Sequence, residues 1–119
     1  VCPDSRTLVY ILSILGVHDK GDIDYDKNIV SLGLDILIGT PNRINAMFSS
    51  AGFNASTIRM FIVDDAEILF KNRADAIVQR LSMSIEKTQR LFFCSEITER
   101  VETLADKIMI EPLFFEMEE

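Results

Sequence analysis

The chain has 119 residues, 48% of them hydrophobic, which is enough apolar mass for one compact core and not for two, since domains most often run to roughly 100–150 residues. Its formal charge of −7, with 12 basic residues scattered among 19 acids, argues against a broad nucleic-acid footprint, which needs clustered Lys and Arg, so any RNA contact has to be local. No apolar run approaches the ~20 residues of a membrane-spanning helix, and the start does not show the basic, apolar, small-residue pattern of a signal peptide. These features lead us to expect a soluble intracellular chain, cytoplasmic or nuclear, with no membrane partner. The start at Val1-Cys2-Pro3 reads as an excerpt from something longer.

In chain order, Leu8, Ile11, Leu12 and Leu15 have helical spacing. The stretch 16–31, with Asp19-Lys20-Gly21-Asp22 and Asp24-Tyr25-Asp26-Lys27, has poor periodicity and reads as a loop or a shortened segment. Leu34–Ile38 reads as a buried strand, followed by a helix carrying Ile44, Met47 and Phe48. Met60–Val63 is a second strand, then Ile77, Leu81 and Ile85 mark a helix, Leu91–Cys94 a third strand, Val101, Leu104 and Ala105 a helix, and Phe114–Met117 a closing strand. Strands alternating with helices predict an α/β domain over 1–119, with a mainly parallel sheet, helices on both faces and function at the carboxyl ends of the strands. Cys2 and Cys94 lack CxxC spacing and a nearby histidine, so they read as buried reduced thiols and no metal cluster is expected from them. His18 reads as a surface histidine, and Phe48 and Phe53 flank Gly52 as a candidate exposed patch.

Chemistry concentrates at three strand ends. Phe61-Ile62-Val63-Asp64-Asp65-Ala66-Glu67 delivers carboxylates from an apolar strand, the kind of rigid oxygen ligand that a hard cation such as Mg²⁺ wants beside nucleotide phosphates. Taken in isolation it reads equally as an acidic turn capping the next helix. Thr40-Pro41-Asn42-Arg43 reads in its simplest form as an N-cap followed by proline at the first helical position. Cys94-Ser95-Glu96 closes the third strand and leaves it, and Glu96 at a helix start is favoured by the dipole.

Together these segments resemble the first RecA-like domain of the DEAD-box family of ATP-dependent RNA helicases. Asp35-Ile36-Leu37-Ile38-Gly39-Thr40-Pro41-Asn42-Arg43 is similar to that family's strand and TPGR, Ile58 to Glu67 to its strand and DEAD, and Gln89 to Glu96 to its strand and SAT. Val101, Leu104, Ala105, Ile110, Pro112 and Phe114 match its helix, proline and closing strand in order. Before Thr40 the likeness thins: Pro3-Asp4-Ser5-Arg6-Thr7-Leu8 keeps only the proline of PTRELA in register, and the double-glycine segment has no counterpart. The resemblance implies a three-layer RecA-like α/β fold, truncated on its N-terminal side.

The resemblance also implies roles. Asp64 takes the magnesium-associated position, through water if nucleotide binds; Asp65 stands for the water-activating glutamate, and Glu67 for the final aspartate. Asp65 is one methylene short, and a misplacement of about 1 Å can cost on the order of a hundredfold in rate. Cys94, Ser95 and Glu96 fall at the segment that couples nucleotide state to closure of two RecA domains, where the extra charge of Glu96 beside the other acids predicts an upward pKa shift or repulsion. Thr40, Pro41, Asn42 and Arg43 fall at an RNA sugar-phosphate contact, with Asn42 in place of glycine. ATP and Mg are the family's cofactors, but the sequence contains no G-x-x-x-x-G-K-[ST] to cradle phosphates, so neither is expected for this chain alone.

The functional expectation is a degenerate helicase-like domain for RNA binding or ribonucleoprotein scaffolding within a larger protein of RNA silencing or RNA processing. Its partners would be RNA, a second RecA domain and the proteins of that assembly. A divergent but active helicase, with its phosphate loop and second RecA domain outside this chain, is the alternative. A protein interaction domain with no nucleotide or RNA ligand is a further one.

Overall fold

A computed structural model describes residues 13–49, 55–85 and 88–117. The chain divides into two compact units, Val1–Phe53 and Asn54–Glu119. Cys2, the Pro3–Leu8 segment, the helical spacing from Leu8 to Leu12, and Phe53 lie outside the described residues.

In the first unit, β1 (Ile14–Val17), α1 (Ile23–Ser31), β2 (Ile36–Gly39) and α2 (Pro41–Phe48) follow one another. β1 and β2 pair in parallel, from Ile14 opposite Ile36 to Val17 opposite Gly39. Leu15 therefore belongs to a strand, not to the helix predicted from its spacing, because a short apolar run satisfies either period. Residues 23–31 form a helix, which corrects the loop expected over 16–31. Its acids are start signals: the Asp22 carboxylate accepts the backbone N–H groups of Asp24 (3.0 Å) and Tyr25 (3.3 Å), and Asp24 and Asp26 sit in the first turn, where the dipole favours them. Periodicity was hidden because the one buried residue of the helix is Asp26, with Ile23 and Val30 only half-buried. Gly33, at φ +102°, ends the helix, its N–H bonded to the Val30 carbonyl.

A side chain at Gly39 would run into Val17, whose carbonyl oxygen lies 2.9 Å from where a Cβ would stand. Glycine is thus what lets β2 close against β1 just before the Thr40 turn.

In the second unit a 3-10 turn (Ala55–Thr57) precedes β3 (Met60–Val63), a 3-10 segment (Ala66–Asn72), α3 (Asp75–Met83), β4 (Gln89–Phe92) and α4 (Glu99–Ile108). β3 and β4 are parallel, with Val63 opposite Phe92, and the ladder runs on as the Phe93 N–H meets the Val63 carbonyl at 2.8 Å and the Ala66 N–H meets the Phe93 carbonyl at 3.0 Å. The core combines Val63, Ala66, Leu69, Val78 and the α4 stripe Val101, Leu104 and Ile108. Thr98 caps α4 by accepting the Val101 N–H. Phe61, Phe92 and Cys94 pack on this core from its margin.

Two expectations shift here. The third predicted strand begins at Gln89 and ends at Phe92, so Cys94 lies beyond it. Arg90 explains the early start: its guanidinium donates to the Ser82 hydroxyl (2.7 Å) and to the carbonyls of Ser82, Ile85 and Thr88, locking the turn that leads into the strand. Phe114–Met117 forms no strand: it pairs with none of the described strands, and Phe115 and Met117 are exposed. Among the described residues no helix is long and apolar enough to cross a membrane.

Candidate functional site

The acidic segment leaves β3 at Asp64. One Asp64 carboxylate oxygen turns back to accept the Asp65 N–H at 2.9 Å, and Asp65 itself adopts the left-handed conformation (φ 51°, ψ 51°), which aspartate tolerates better than most side chains. Both side chains are exposed. Asp65 starts the 3-10 segment without a side-chain cap bond, so the capping role that a strand-end acid often plays is not what holds this turn. Burial of Ala66 does that, with its N–H fixed on Phe93.

This turn sends Glu67 across to the end of β4. Its Oε1 accepts the Ser95 hydroxyl at 2.7 Å and the Ser95 N–H at 3.3 Å, while Oε2 is buried without a hydrogen-bond partner. The Ser95 hydroxyl, helped by the residue's own N–H and by Lys71, holds the Glu67 carboxyl below the usual carboxylate range against the opposing effect of desolvation. The expected upward shift from crowded acids therefore does not occur at Glu67, where the donors outweigh desolvation. Burial, reinforced by Glu67, pushes the Cys94 thiol up. Glu96 is exposed, its carbonyl accepting the Thr98 N–H ahead of α4. Beside this link an open depression is lined by Glu67, Phe70, Lys71, Thr98, Glu99 and Arg100, with the Arg100 guanidinium 6.0 Å from the Phe70 ring centre.

At the end of β2 the simple capping geometry is present: the Thr40 hydroxyl accepts the Arg43 N–H at 3.4 Å and Pro41 opens α2. More is built around it. The Thr40 hydroxyl also donates to the Asp19 carboxylate at 2.7 Å, and Arg43, only 8% exposed, donates through Nη2 to the carbonyls of Asp19 (2.8 Å) and Gly21 (2.7 Å). Asn42 is exposed. Asp19 and Gly21 were visible in the sequence as a turn, but nothing in one dimension joined them to residues more than 20 positions away.

Asp64 offers an exposed carboxylate to a hydrated magnesium ion, but the N–H cradle that nucleotide phosphates require is not supplied by these residues.

No protein-family model matches the chain. An ATP-dependent RNA helicase eIF4A of Yarrowia lipolytica is 28% identical over 74% of the chain and 22% of its own length. An ATP-dependent RNA helicase DDX1 of Xenopus laevis is 27% identical over 96% of the chain and 16% of its own length. The chain thus spans less than a quarter of these relatives. Among solved structures, a DEAD box protein from Methanococcus jannaschii superposes with a TM-score of 0.79 at 20% identity, covering 85% of this chain and 28% of that one. The yeast DEAD-box splicing factor Prp28 gives 0.78 at 18%, covering 85% and 24%. These similarities agree with the family resemblance read from the sequence, and the chain is a DEAD-box helicase-like domain with the RecA-like α/β fold.

Proposed function

We propose that the chain is an RNA-binding element of a larger protein, a helicase-like domain with altered catalytic motifs that serves ribonucleoprotein scaffolding in RNA silencing or RNA processing and does not hydrolyse ATP by itself. The observation that carries the reading is the end of β2. There a buried arginine and a helix start stand together, with Thr40 half-buried and Asn42 exposed, at the position where the resemblance puts a sugar-phosphate contact. The relatives' names, ATP-dependent RNA helicase, support RNA as the partner.

Against catalysis by this chain, Asp65 is a methylene shorter than glutamate, its N–H is taken by Asp64, and its backbone is left-handed. A general base must stand within hydrogen-bond reach of the water it activates, and a loss on the order of a hundredfold follows from about 1 Å of misplacement. Glu67 bonded to Ser95 supports a retained coupling element facing a second RecA domain of the parent. A divergent ATPase is favoured by one feature, the exposed Asp64 carboxylate on a rigid strand end.

The test is RNA-stimulated ATP hydrolysis by the parent protein beside its Asp64→Asn form, together with RNA crosslinking mapped along the chain. Equal background rates and crosslinks at Thr40 to Arg43 are expected. Hydrolysis well above the Asp64→Asn form establishes the ATPase instead, and crosslinks absent from the turn remove the RNA contact.

A further inference from the structure

We infer that the Asp19 carboxylate is a built-in competitor for RNA phosphate at the end of β2, so that nucleic acid reaches the Thr40 turn only by displacing it. The inference rests on the RNA-binding reading above and concerns how that same site is regulated.

Three observations within the first unit carry it. Arg43 is buried, yet its guanidinium hydrogen bonds end on two backbone carbonyls, and among the described residues no carboxylate forms an ion pair with it. Two peptide dipoles and the buried Asp26 carboxylate beside Gly21 share in balancing this cation, and the N-terminus of α2 adds its own positive potential at the turn. That field calls for an anion.

Asp19 supplies one from within the chain. Its backbone carbonyl binds Arg43, but its carboxylate bypasses the guanidinium and accepts the Thr40 hydroxyl, placing a negative charge at the start of α2. An incoming phosphate oxygen would seek the same hydroxyl and the same field, and two like charges in contact there repel.

In the first turn the Asn42 N–H is what remains for a phosphate beside that hydroxyl. Pro41 has no N–H, and that of Arg43 is engaged by Thr40. Asp19 is exposed, so its carboxylate can swing into water while its carbonyl stays on Arg43, and opening the site does not require the turn to unfold. Exposed Lys20 stands next to it in sequence, where it can meet a phosphate as the carboxylate leaves.

The experiment measures binding of a labelled oligouridylate to the full chain by fluorescence anisotropy at fixed low salt. Asp19→Asn keeps an oxygen acceptor for Thr40 and removes only the charge; Asp19→Ser repeats the neutralisation with another side chain. Asp106→Asn, an exposed acid on α4, makes the same change in net charge elsewhere. Both Asp19 variants are expected to tighten binding about fivefold, as removal of one unit charge at contact allows, with Asp106→Asn within about twofold of the parent chain because of screening. Equal gains at positions 19 and 106, or none at 19 in a chain that binds RNA, overturn the inference alone. No binding by any form overturns it together with the RNA-binding reading.

Discussion

The ends of β2 and β3 occupy equivalent places, each at the carboxyl end of a parallel strand, but they use polar side chains in opposite ways. At β2 the cation is turned inward: Arg43 is buried and holds the preceding turn, and Thr40 links to Asp19. At β3 Asp64 and Asp65 face solvent, and only Glu67, two residues on, makes a contact outside the turn. Chemistry and stability are therefore joined at one strand end and largely separable at the other. Binding groups that also hold a turn cannot be tested by simple deletion.

Arg43→Ala should give the largest effect, a loss of about 3 kcal/mol, because it leaves two carbonyls without their charged donor. Both tyrosines, Tyr10 and Tyr25, lie in Val1–Phe53, so tyrosine fluorescence during urea unfolding follows the affected unit. A midpoint unchanged by the substitution would break the comparison. Gly39→Ala should cost about 2 kcal/mol by the same measurement, as the added methyl meets the Val17 carbonyl, with the expected range set by overpacking.

At the other strand end the expected signal is a titration. Ser95→Ala should move the Glu67 carboxyl up toward the ordinary range, read by carbon-detected NMR, because the hydroxyl is the leading cause of its depression. A carboxyl held low in the folded chain contributes stability that is present above its unfolded pKa of about 4.3 and is lost as pH falls through the folded value. The Ser95→Ala chain should accordingly lose less stability on acidification than the parent chain. Asp64→Asn should be the mildest, within about 0.5 kcal/mol in unfolding, since the exposed side chain touches only the next N–H. A large loss there would mean that the two strand ends are built alike after all.

Much of this arrangement was legible from residue order. Parallel strands alternating with helices, the strand at Met60–Val63 and the stripe Val101, Leu104 and Ala105 follow from apolar spacing. Helix α1 was not legible, because a buried aspartate broke its apolar face and its capping acids imitate a loop. Phe114–Met117 misled in the other direction: its composition suits a strand, but strand formation depends on pairing with a neighbour, which spacing does not reveal. The Glu67 to Ser95 contact spans 28 positions and emerges only when β3 and β4 are paired in register. Asp19 was hidden for the same reason, since its role is defined by Thr40 and Arg43 across the β1–β2 pair.

The Arg90 clamp acquires a meaning beyond turn stability. Side chains alternate along a strand, so a slip of one residue in β4 would send each to the opposite face and carry Ser95 away from Glu67. By fastening Ser82, Ile85 and Thr88 to the second residue of the strand, Arg90 works as an alignment stop, setting the phase of everything downstream. The far end of β4 inherits its precision from the near end, and the accuracy of a contact at position 95 is decided five residues earlier.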